Sequence, residues 1–577
     1  MNERQRAAEA TLHDQENLLP NKQLIFVFGL LAVSLLVMFV DQNGIGQLLP
    51  TVAKDLNATA TISWAGTSAL IGNTVFQVLY GRLSDIFGRK KVYLSALALL
   101  SFADLMCGLS KNAPMFYFFR GLAGVAGGGI TSLSMMIVSD IVSLERRGKF
   151  QGILGSMVGI GNLIGPILAA VFAQKASWRY LFYMLVPLSA ICCGVCGYFL
   201  PTTMPKGGLK ENVKKIDYWG VATASVALIL LLIPISGGGA YFEWNSPMVI
   251  SMLVIGGVFL IAFIIVEWKL AALPMIPLNV FKNPAVAAIL VQQFFFGILF
   301  YGFIYYLPLY FQNVRRFTPL KSAFMTIPLM VTQSIASICS GQYISRMKRY
   351  GECIVMGYVL ITLSTSLTTL FGQNTALWKI ILILITMGIG NGNVFQPTII
   401  ALQAHSPKQQ RAIIISIRNF LRCLGGAIGL ALCAAVLQNS LRSALPEKFK
   451  NLAHSTYSRP DYTQYSEADA VLIQAAYAHA SHTVFIFFAP MAACCLLTCL
   501  FVRDRGLQRA EEVQAEKDRK EAAQLQAEQQ RDTEKALSVH SRSSLPVTGS
   551  EKDKEDISVK DDFEIQKPMV APVAQKM

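Results

Sequence analysis

Charged residues are scarce in this sequence. Asp, Glu, Lys and Arg together make up 15% of the 577 residues, whereas a soluble globular protein carries about 25%. Hydrophobic residues make up 53% of the chain. This balance excludes an ordinary soluble enzyme, a disordered chain, a collagen-like chain and a small disulfide scaffold.

Motifs that carry common enzymatic chemistry are also missing. The one Gly-Lys pair, Gly148-Lys149, is followed by Phe150, so the sequence has no phosphate-binding loop of the G-x-x-x-x-G-K-[ST] type. It has no H-E-x-x-H metal motif and no G-x-S-x-G nucleophile motif. The 11 cysteines show no zinc-ligand spacing with histidine. We therefore expect no cofactor, no metal and no enzymatic reaction; if the protein moves a solute, a gradient must drive it.

What the sequence has instead is long apolar runs. Fourteen of them lie between residues 24 and 502, and each is long enough to cross a bilayer, which takes roughly 20 residues. A membrane barrel would alternate apolar and polar residues, and runs such as IFVFGLLAVSLLVMFV do not alternate. The pattern predicts an all-α membrane protein with 14 transmembrane helices.

The positive charge lies in the part of the chain that contains these runs. The formal net charge is +15, but residues 503–577 contain 14 basic and 16 acidic residues, so the first 502 residues carry a net +17. Lys and Arg are most frequent in alternate short loops, which is a topology signal and not the footprint of nucleic acid. It predicts that both termini are cytoplasmic. The sequon at Asn57 then lies in an outer loop, where glycosylation is possible.

The loop after the second run has a specific order of residues, GRLSDIFGRKK at 81–91. Glycines let the flanking helices turn and approach each other, and an aspartate can pair with arginines at the same membrane face. The segment resembles the loop 2–3 signature of the major facilitator superfamily, G-x-L-[SA]-D-x-x-G-R-[KR]. The resemblance implies a gating loop formed by Gly81, Arg82, Asp85, Gly88 and Arg89. A degenerate copy at 341–349 lacks the aspartate.

The fifth run carries closely spaced small residues and one proline. Gly152, Gly161, Gly165 and Pro166 match the motif G-(x)8-G-(x)3-G-P-x-x-G-G, which is found in drug:proton exchangers of that superfamily, while Ala169 and Ala170 replace its last glycines. A generic packing face of small residues is the alternative interpretation. The motif identifies the fourteen-span drug:proton antiporter branch as the one that the chain resembles.

This resemblance implies the major facilitator fold, with two six-helix halves plus two inserted helices. The expected segments are a cytoplasmic N-terminus at 1–23, a first half at 24–200, a cytoplasmic linker at 201–217, an inserted pair at 218–267, a second half at 285–502 with a long outer loop at 439–480, and a partly disordered cytoplasmic tail at 503–577.

Two charged residues inside apolar runs are candidates for proton coupling. Asp41 lies about 17 residues into the first run, where an ionisable group is a functional candidate. Arg120 in the fourth run matches an arginine that the family associates with proton coupling, although Ala123 replaces the glutamine that follows in the family motif. The alternatives are that Arg120 reaches the outer interface and that Asp41 is hydrated near it. Asp104 lies closer to that boundary, so hydration is the stronger interpretation there.

Other polar and aromatic side chains in the runs allow two interpretations. Six uncharged polar residues could line a substrate cavity or form hydrogen bonds between helices: Gln77, Asn162, Gln292, Gln293, Asn391 and Gln396. The aromatic residues of the ninth run are mostly attributed to the lipid-facing surface, with a few facing the cavity. Arg418 and Arg422 are interpreted as reaching the cytoplasmic membrane surface.

These observations predict a secondary active transporter for the proton-coupled efflux of drugs, toxins or secondary metabolites. Its partners would be a small-molecule substrate, protons and the lipid bilayer, and it would act as a monomer in the plasma membrane or, alternatively, in the vacuolar membrane. One competing hypothesis is proton-coupled uptake or vacuolar transport of a defined solute, such as a basic amino acid or an iron chelate. The other is a non-transporting membrane sensor whose tail recruits partners.

Overall fold

The structure is a computed structural model. It describes residues 20–502, except 59–60, 63, 143, 202–216, 238–241, 272–273, 407–409 and 455–464, together with residues 504 and 506. Most of the predicted N-terminal segment, the 201–217 linker and the 503–577 tail therefore lie outside the described residues.

Long helices account for nearly all of the described chain, as the apolar runs predict. They are α1 (Asn21–Asp55), α2 (Trp64–Phe87), α3 (Arg89–Gly108), α4 (Ala113–Ile141), α5 (Leu144–Lys175), α6 (Arg179–Phe199), α7 (Tyr218–Gly237), α8 (Pro247–Ile265), α9 (Pro284–Asn313), α10 (Pro319–Met325), α11 (Ile327–Met347), α12 (Gly351–Thr368), α13 (Leu377–Phe395), α14 (Pro397–Ala404), α15 (Arg411–Ala444) and α16 (Glu467–Thr498).

These helices approach the predicted number of membrane crossings. Among the described residues, thirteen spans are long and apolar enough to cross a bilayer, and α2, with 24 residues, is long enough but more polar. Two spans are each divided into two helices, α10 with α11 and α13 with α14. Pro328 and Pro397 lie at these breaks, where a residue without an N–H group cannot continue the helical hydrogen bonds.

The last two crossings are longer than the apolar runs suggest. α15 continues to Ala444 and α16 begins at Glu467, so much of the segment predicted as the outer loop 439–480 is helical. Ser466 caps α16 by accepting a hydrogen bond from the backbone N–H of Asp469 at 3.2 Å. The added start of α16, EADAVLIQAAYAHA, is mostly apolar with a few interspersed polar residues, so those polar residues did not end the helix.

The helices form two groups of six crossings. α1–α6 pack on one another and α9–α16 pack on one another, while α5 against α11 and α2 against α15 join the two groups. α7 and α8 form a hairpin at the side of the bundle, where α7 contacts α2 and α15. This arrangement agrees with two six-helix halves and an inserted pair, although the exact domain boundaries remain a prediction. We call the end of the bundle that carries the turn between α2 and α3 the signature face.

The glycines of α5 allow two close helix contacts. A Cβ atom on Gly152 would lie 2.5 Å from the carbonyl oxygen of Ser337 in α11, and one on Gly165 would lie 2.8 Å from that of Val40 in α1. Gly161 also faces α1, and Pro166 lies within α5. The four motif residues thus belong to a helix that packs against both halves.

The aromatic side chains of α9 are mostly buried, which corrects the lipid-facing interpretation. Phe296, Phe300, Tyr301, Phe303 and Tyr306 are all buried. They pack against rings on α13 and α16 as well as on one another. Composition alone could not distinguish these environments because aromatic residues are equally compatible with lipid and with a protein core.

The sequon residue Asn57 is exposed in the turn after α1, with a positive φ of 50°. Asparagine adopts this conformation more readily than most residues. Its glycosylation remains a prediction.

Candidate functional site

Asp41 and Arg120 form a buried ion pair between α1 and α4. The Nη1 group of Arg120 donates a hydrogen bond to Oδ1 of Asp41 at 2.6 Å, and their side chains are 1% and 5% exposed respectively. The guanidinium also lies 5.9 Å from the ring centre of Phe182. The interpretation that Arg120 reaches the outer interface is therefore wrong, and Asp41 is held by Arg120 inside the bundle. The pairing explains how both charges are held inside the bundle.

A second carboxyl group lies beside this pair. Asp104 on α3 is 0% exposed and interacts electrostatically with Asp41 and Arg120. The expectation of a hydrated Asp104 is wrong because the neighbouring helices cover it. Two buried carboxylates against one guanidinium leave one negative charge uncompensated, and one bound proton would remove it.

A cavity of about 40 Å³ adjoins the ion pair. Asn43 and Asn73 from the first half and Tyr301 and Tyr305 from the second half are among the residues that line it, together with Asp41 and Arg120. This volume corresponds to roughly three water-sized probes, so the cavity is nearly closed in this conformation. Its position between the halves is where a rearrangement of the two halves would open or close it.

The six predicted cavity residues do not line this space. They are Gln77, Asn162, Gln292, Gln293, Asn391 and Gln396, and all of them are buried. Asn162 accepts a hydrogen bond from the cavity-lining Asn43 at 2.7 Å. Gln292 donates to the carbonyl oxygen of Cys495 at 3.2 Å, so it connects α9 to α16 within one half. Sequence reasoning missed Asn73, because an amide in an apolar run does not reveal which neighbour it faces.

The turn between α2 and α3 is held by an ionic cluster. Arg89 bonds to Asp85 at 2.6 Å and to Asp140 at 2.9 Å, and it also contacts the hydroxyl of Ser84. Gly88 has a φ of 91°, a conformation that favours glycine. Sequence reasoning found Asp85 and Arg89 but missed Asp140, which ends the distant helix α4.

The same turn contacts the other parts of the bundle. Arg82 donates a hydrogen bond from Nε to the carbonyl oxygen of Pro274 at 2.6 Å, which connects the turn to the segment after α8. A Cβ atom on Gly81 would lie 2.6 Å from the hydroxyl of Ser416 in α15. The predicted gating loop is therefore mostly helical: Gly81, Arg82 and Asp85 lie in the last turns of α2, Gly88 lies between the helices, and Arg89 begins α3. Its contacts reach the second half and the segment after α8.

Hydrogen bonds also connect the halves between the signature face and the cavity. Ser337 in α11 donates to the carbonyl oxygen of Gly152 in α5 at 3.0 Å. Gln403 in α14 donates to the hydroxyl of Ser139 in α4 at 2.7 Å. These bonds close the bundle on that side of the cavity, and they must break if the cavity is to open there.

Comparison with known proteins identifies the family. The model of the Major Facilitator Superfamily matches residues 31–430. The chain belongs to the major facilitator superfamily. Citrate exporter 1 of Yarrowia lipolytica is 48% identical over 521 residues, which cover 89% of this chain and 77% of that protein. The efflux pump dotC of Dothistroma septosporum is 31% identical over 423 residues, covering 73% of each chain.

A solved structure supports the fold. The proton:xylose symporter XylE matches with a TM-score of 0.58 at 14% identity, over 86% of this chain and 99% of that one. The predicted major facilitator fold is thus confirmed, and the chain is a multi-pass membrane transporter of small molecules, with efflux pumps among its relatives.

Two further arginines lie inside this transporter and not at its surface. Arg418 and Arg422 in α15 are 0% and 2% exposed. Their guanidinium carbons lie 5.0 and 4.4 Å from the ring centre of Phe395 in α13. The interpretation that they reach the membrane surface is wrong, because helices of both halves cover this stretch of α15.

Proposed function

We propose that this member of the superfamily is a proton-coupled exporter that acts as a monomer in the plasma membrane. The observation that carries the proposal is the buried cluster of Asp41, Asp104 and Arg120 beside a cavity lined by both halves. The excess of Lys and Arg in the loops of the signature face supports a cytoplasmic location for that face and for both termini.

The cluster couples protons to the position of α1 and α4. With no proton bound, Asp41 holds Arg120 through the 2.6 Å bond, which joins the two helices next to the cavity. A proton bound by the cluster removes one of its two negative charges, so one carboxylate is left to balance Arg120 and the bond that joins the two helices changes in strength. Because Asp41 and Arg120 both line the cavity, this change alters the wall that a substrate contacts.

The names of the relatives support two classes of substrate. A citrate exporter at 48% identity favours a small organic acid, and an efflux pump at 31% identity favours a toxin or secondary metabolite. The greater identity and the buried arginines make an organic acid the first candidate. Inward proton-coupled or vacuolar transport of a defined solute is the competing hypothesis, whereas the transporter relatives count against a non-transporting sensor.

The decisive experiment uses the purified full-length protein in liposomes loaded with a pH-sensitive dye. We expect an outward citrate gradient to drive proton movement in the opposite direction, and we expect Asp41→Asn to abolish this movement. Asp55→Asn is the matched control, since Asp55 also pairs with an arginine at 2.6 Å but is partly exposed.

The outcomes separate the alternatives. Citrate efflux that proceeds without proton movement in the wild-type protein contradicts proton coupling. Proton movement that survives in both Asp41→Asn and Arg120→Gln contradicts the assignment of the coupling cluster.

A further inference from the structure

Arg418 and Arg422 are buried cations without a carboxylate partner in the described part of the chain. Arg418 donates to the side-chain oxygen of Asn419 at 2.8 Å and to the carbonyl oxygen of Phe395. The Nε groups of both arginines and Nη1 of Arg422 are buried without a hydrogen-bond partner. Arg89 and Arg120, by contrast, each pair with an aspartate.

Such a pair is costly unless an anion completes it. Arginine keeps its positive charge in proteins, so it cannot become neutral on burial. Residues four apart on a helix are neighbours at about 6 Å, so the two charges repel each other. Both guanidinium groups lie over the ring of Phe395, which offers weak compensation compared with a carboxylate. The unpartnered N–H groups are therefore free donors for an anionic group.

Neighbouring residues connect the pair to the cavity and to the other half. Tyr301, which lines the cavity, has its hydroxyl 3.6 Å from the sulfur of Cys423, the residue after Arg422. Asn419, the residue after Arg418, donates to the hydroxyl of Ser132 in α4 at 3.4 Å. A substrate that moves from the signature face to the cavity when the halves separate would therefore pass this pair.

We propose that Arg418 and Arg422 form a substrate subsite for a small polycarboxylate. The two guanidinium groups provide two positive charges, and Nε of Arg418 with Nε and Nη1 of Arg422 are donors without a partner, which suits a ligand with more than one carboxylate group. The ring of Phe395, over which both guanidinium groups lie, would contact the carbon skeleton of such a ligand. This assignment rests on the proposed export function and specifies the substrate class for it.

The experiment measures binding without any gradient, so it does not depend on proton coupling. The purified full-length protein in detergent is titrated with propane-1,2,3-tricarboxylate, and the melting temperature is followed by intrinsic fluorescence. Parallel titrations use butyrate, the neutral triamide of the same acid, and inorganic phosphate. We expect the tricarboxylate to raise the melting temperature strongly, because a ligand that binds the folded state stabilises it. We expect butyrate to act weakly and the triamide to have no effect.

Substitutions then locate the site. Arg422→Gln should weaken the apparent affinity for the tricarboxylate by about tenfold or more, since it removes one charged donor pair. Arg422→Lys keeps the charge but loses the planar donors, so it should retain an intermediate affinity. Arg349→Gln removes the same charge from an exposed side chain and should leave the affinity unchanged. If Arg422→Gln does not fold, the comparison of Arg422→Lys with Arg349→Gln still decides the question.

Several results would overturn the proposal. They are the absence of stabilisation by the tricarboxylate in the wild-type protein, stabilisation by phosphate alone, and equal affinities in the wild-type, Arg422→Gln and Arg422→Lys proteins. Failure of proton coupling is recognised separately, because a protein that binds the tricarboxylate through Arg422 but moves no protons in liposomes refutes only the coupling mechanism.

Discussion

The ion pair between Asp41 and Arg120 should dominate the local stability of the first half. Asp41→Asn leaves the guanidinium of Arg120 buried without its 2.6 Å partner. Removing one member of a buried pair costs about 3–5 kcal/mol, mostly because the remaining charge is uncompensated. Asp104 interacts electrostatically with Arg120 and offsets part of this loss. We therefore expect a decrease of about 3 kcal/mol in the free energy of unfolding.

A double-mutant cycle isolates the interaction. Asp41→Asn, Arg120→Gln and the double variant are unfolded with denaturant in detergent micelles. Because the double variant removes both members of the pair and leaves neither without the other, it should be less destabilised than the sum of the single variants, with a coupling energy of about 1–3 kcal/mol. The pair of Arg179 and Asp55 is the matched control: its atoms are also 2.6 Å apart, but its side chains are 30% and 45% exposed. Such exposed pairs contribute about 0–1 kcal/mol.

A second double-mutant cycle tests whether Asp104 compensates the charge of Arg120 when Asp41 is replaced. Asp41→Asn with Asp104→Asn removes both negative charges near Arg120, so it should destabilise the protein by more than the sum of the two single changes. Additive free energies in both cycles, or a coupling energy no larger than that of Asp55 with Arg179, would refute the reasoning that burial makes this cluster strong.

Two other predictions concern α5 and the start of α7. Gly152→Ala places a methyl group against the carbonyl oxygen of Ser337, so it should strongly reduce transport in liposomes. Gly194→Ala is the control, because a methyl group there meets no atom within 4 Å and transport should not change. Equal transport activities of the two variants would contradict the close-contact argument. Burial raises the pKa of Asp217, which accepts a hydrogen bond from the N–H of Gly220 at 2.9 Å. Since the unfolded carboxyl loses its proton more readily, stability should fall as pH rises from about 3.8 through the raised pKa. Asp217→Asn keeps the hydrogen bond and should raise the melting temperature at pH 7 but not below pH 4, and a pH-independent difference would contradict this explanation.

The sequence by itself determined the all-helical membrane fold and the family. Each crossing is a local property, because about 20 apolar residues in a row have no stable place except a membrane or a core. The signature turn is also local, and its Asp85 and Arg89 do form the predicted ion pair. The breaks in two crossings were not predicted, although Pro328 and Pro397 were visible signals for them.

The tertiary structure decided which buried polar residues act together. Asp41 and Arg120 are 79 residues apart in the chain, and no local pattern shows that α1 and α4 bring them within 2.6 Å. The burial of Arg418 and Arg422 could not be predicted from the sequence either. Their position near the start of α15 suggested contact with water, and only the packing of both halves around that helix buries them against Phe395. Local hydropathy sets where the chain crosses the membrane, whereas the energy of a charge depends on neighbours that only the packed bundle supplies.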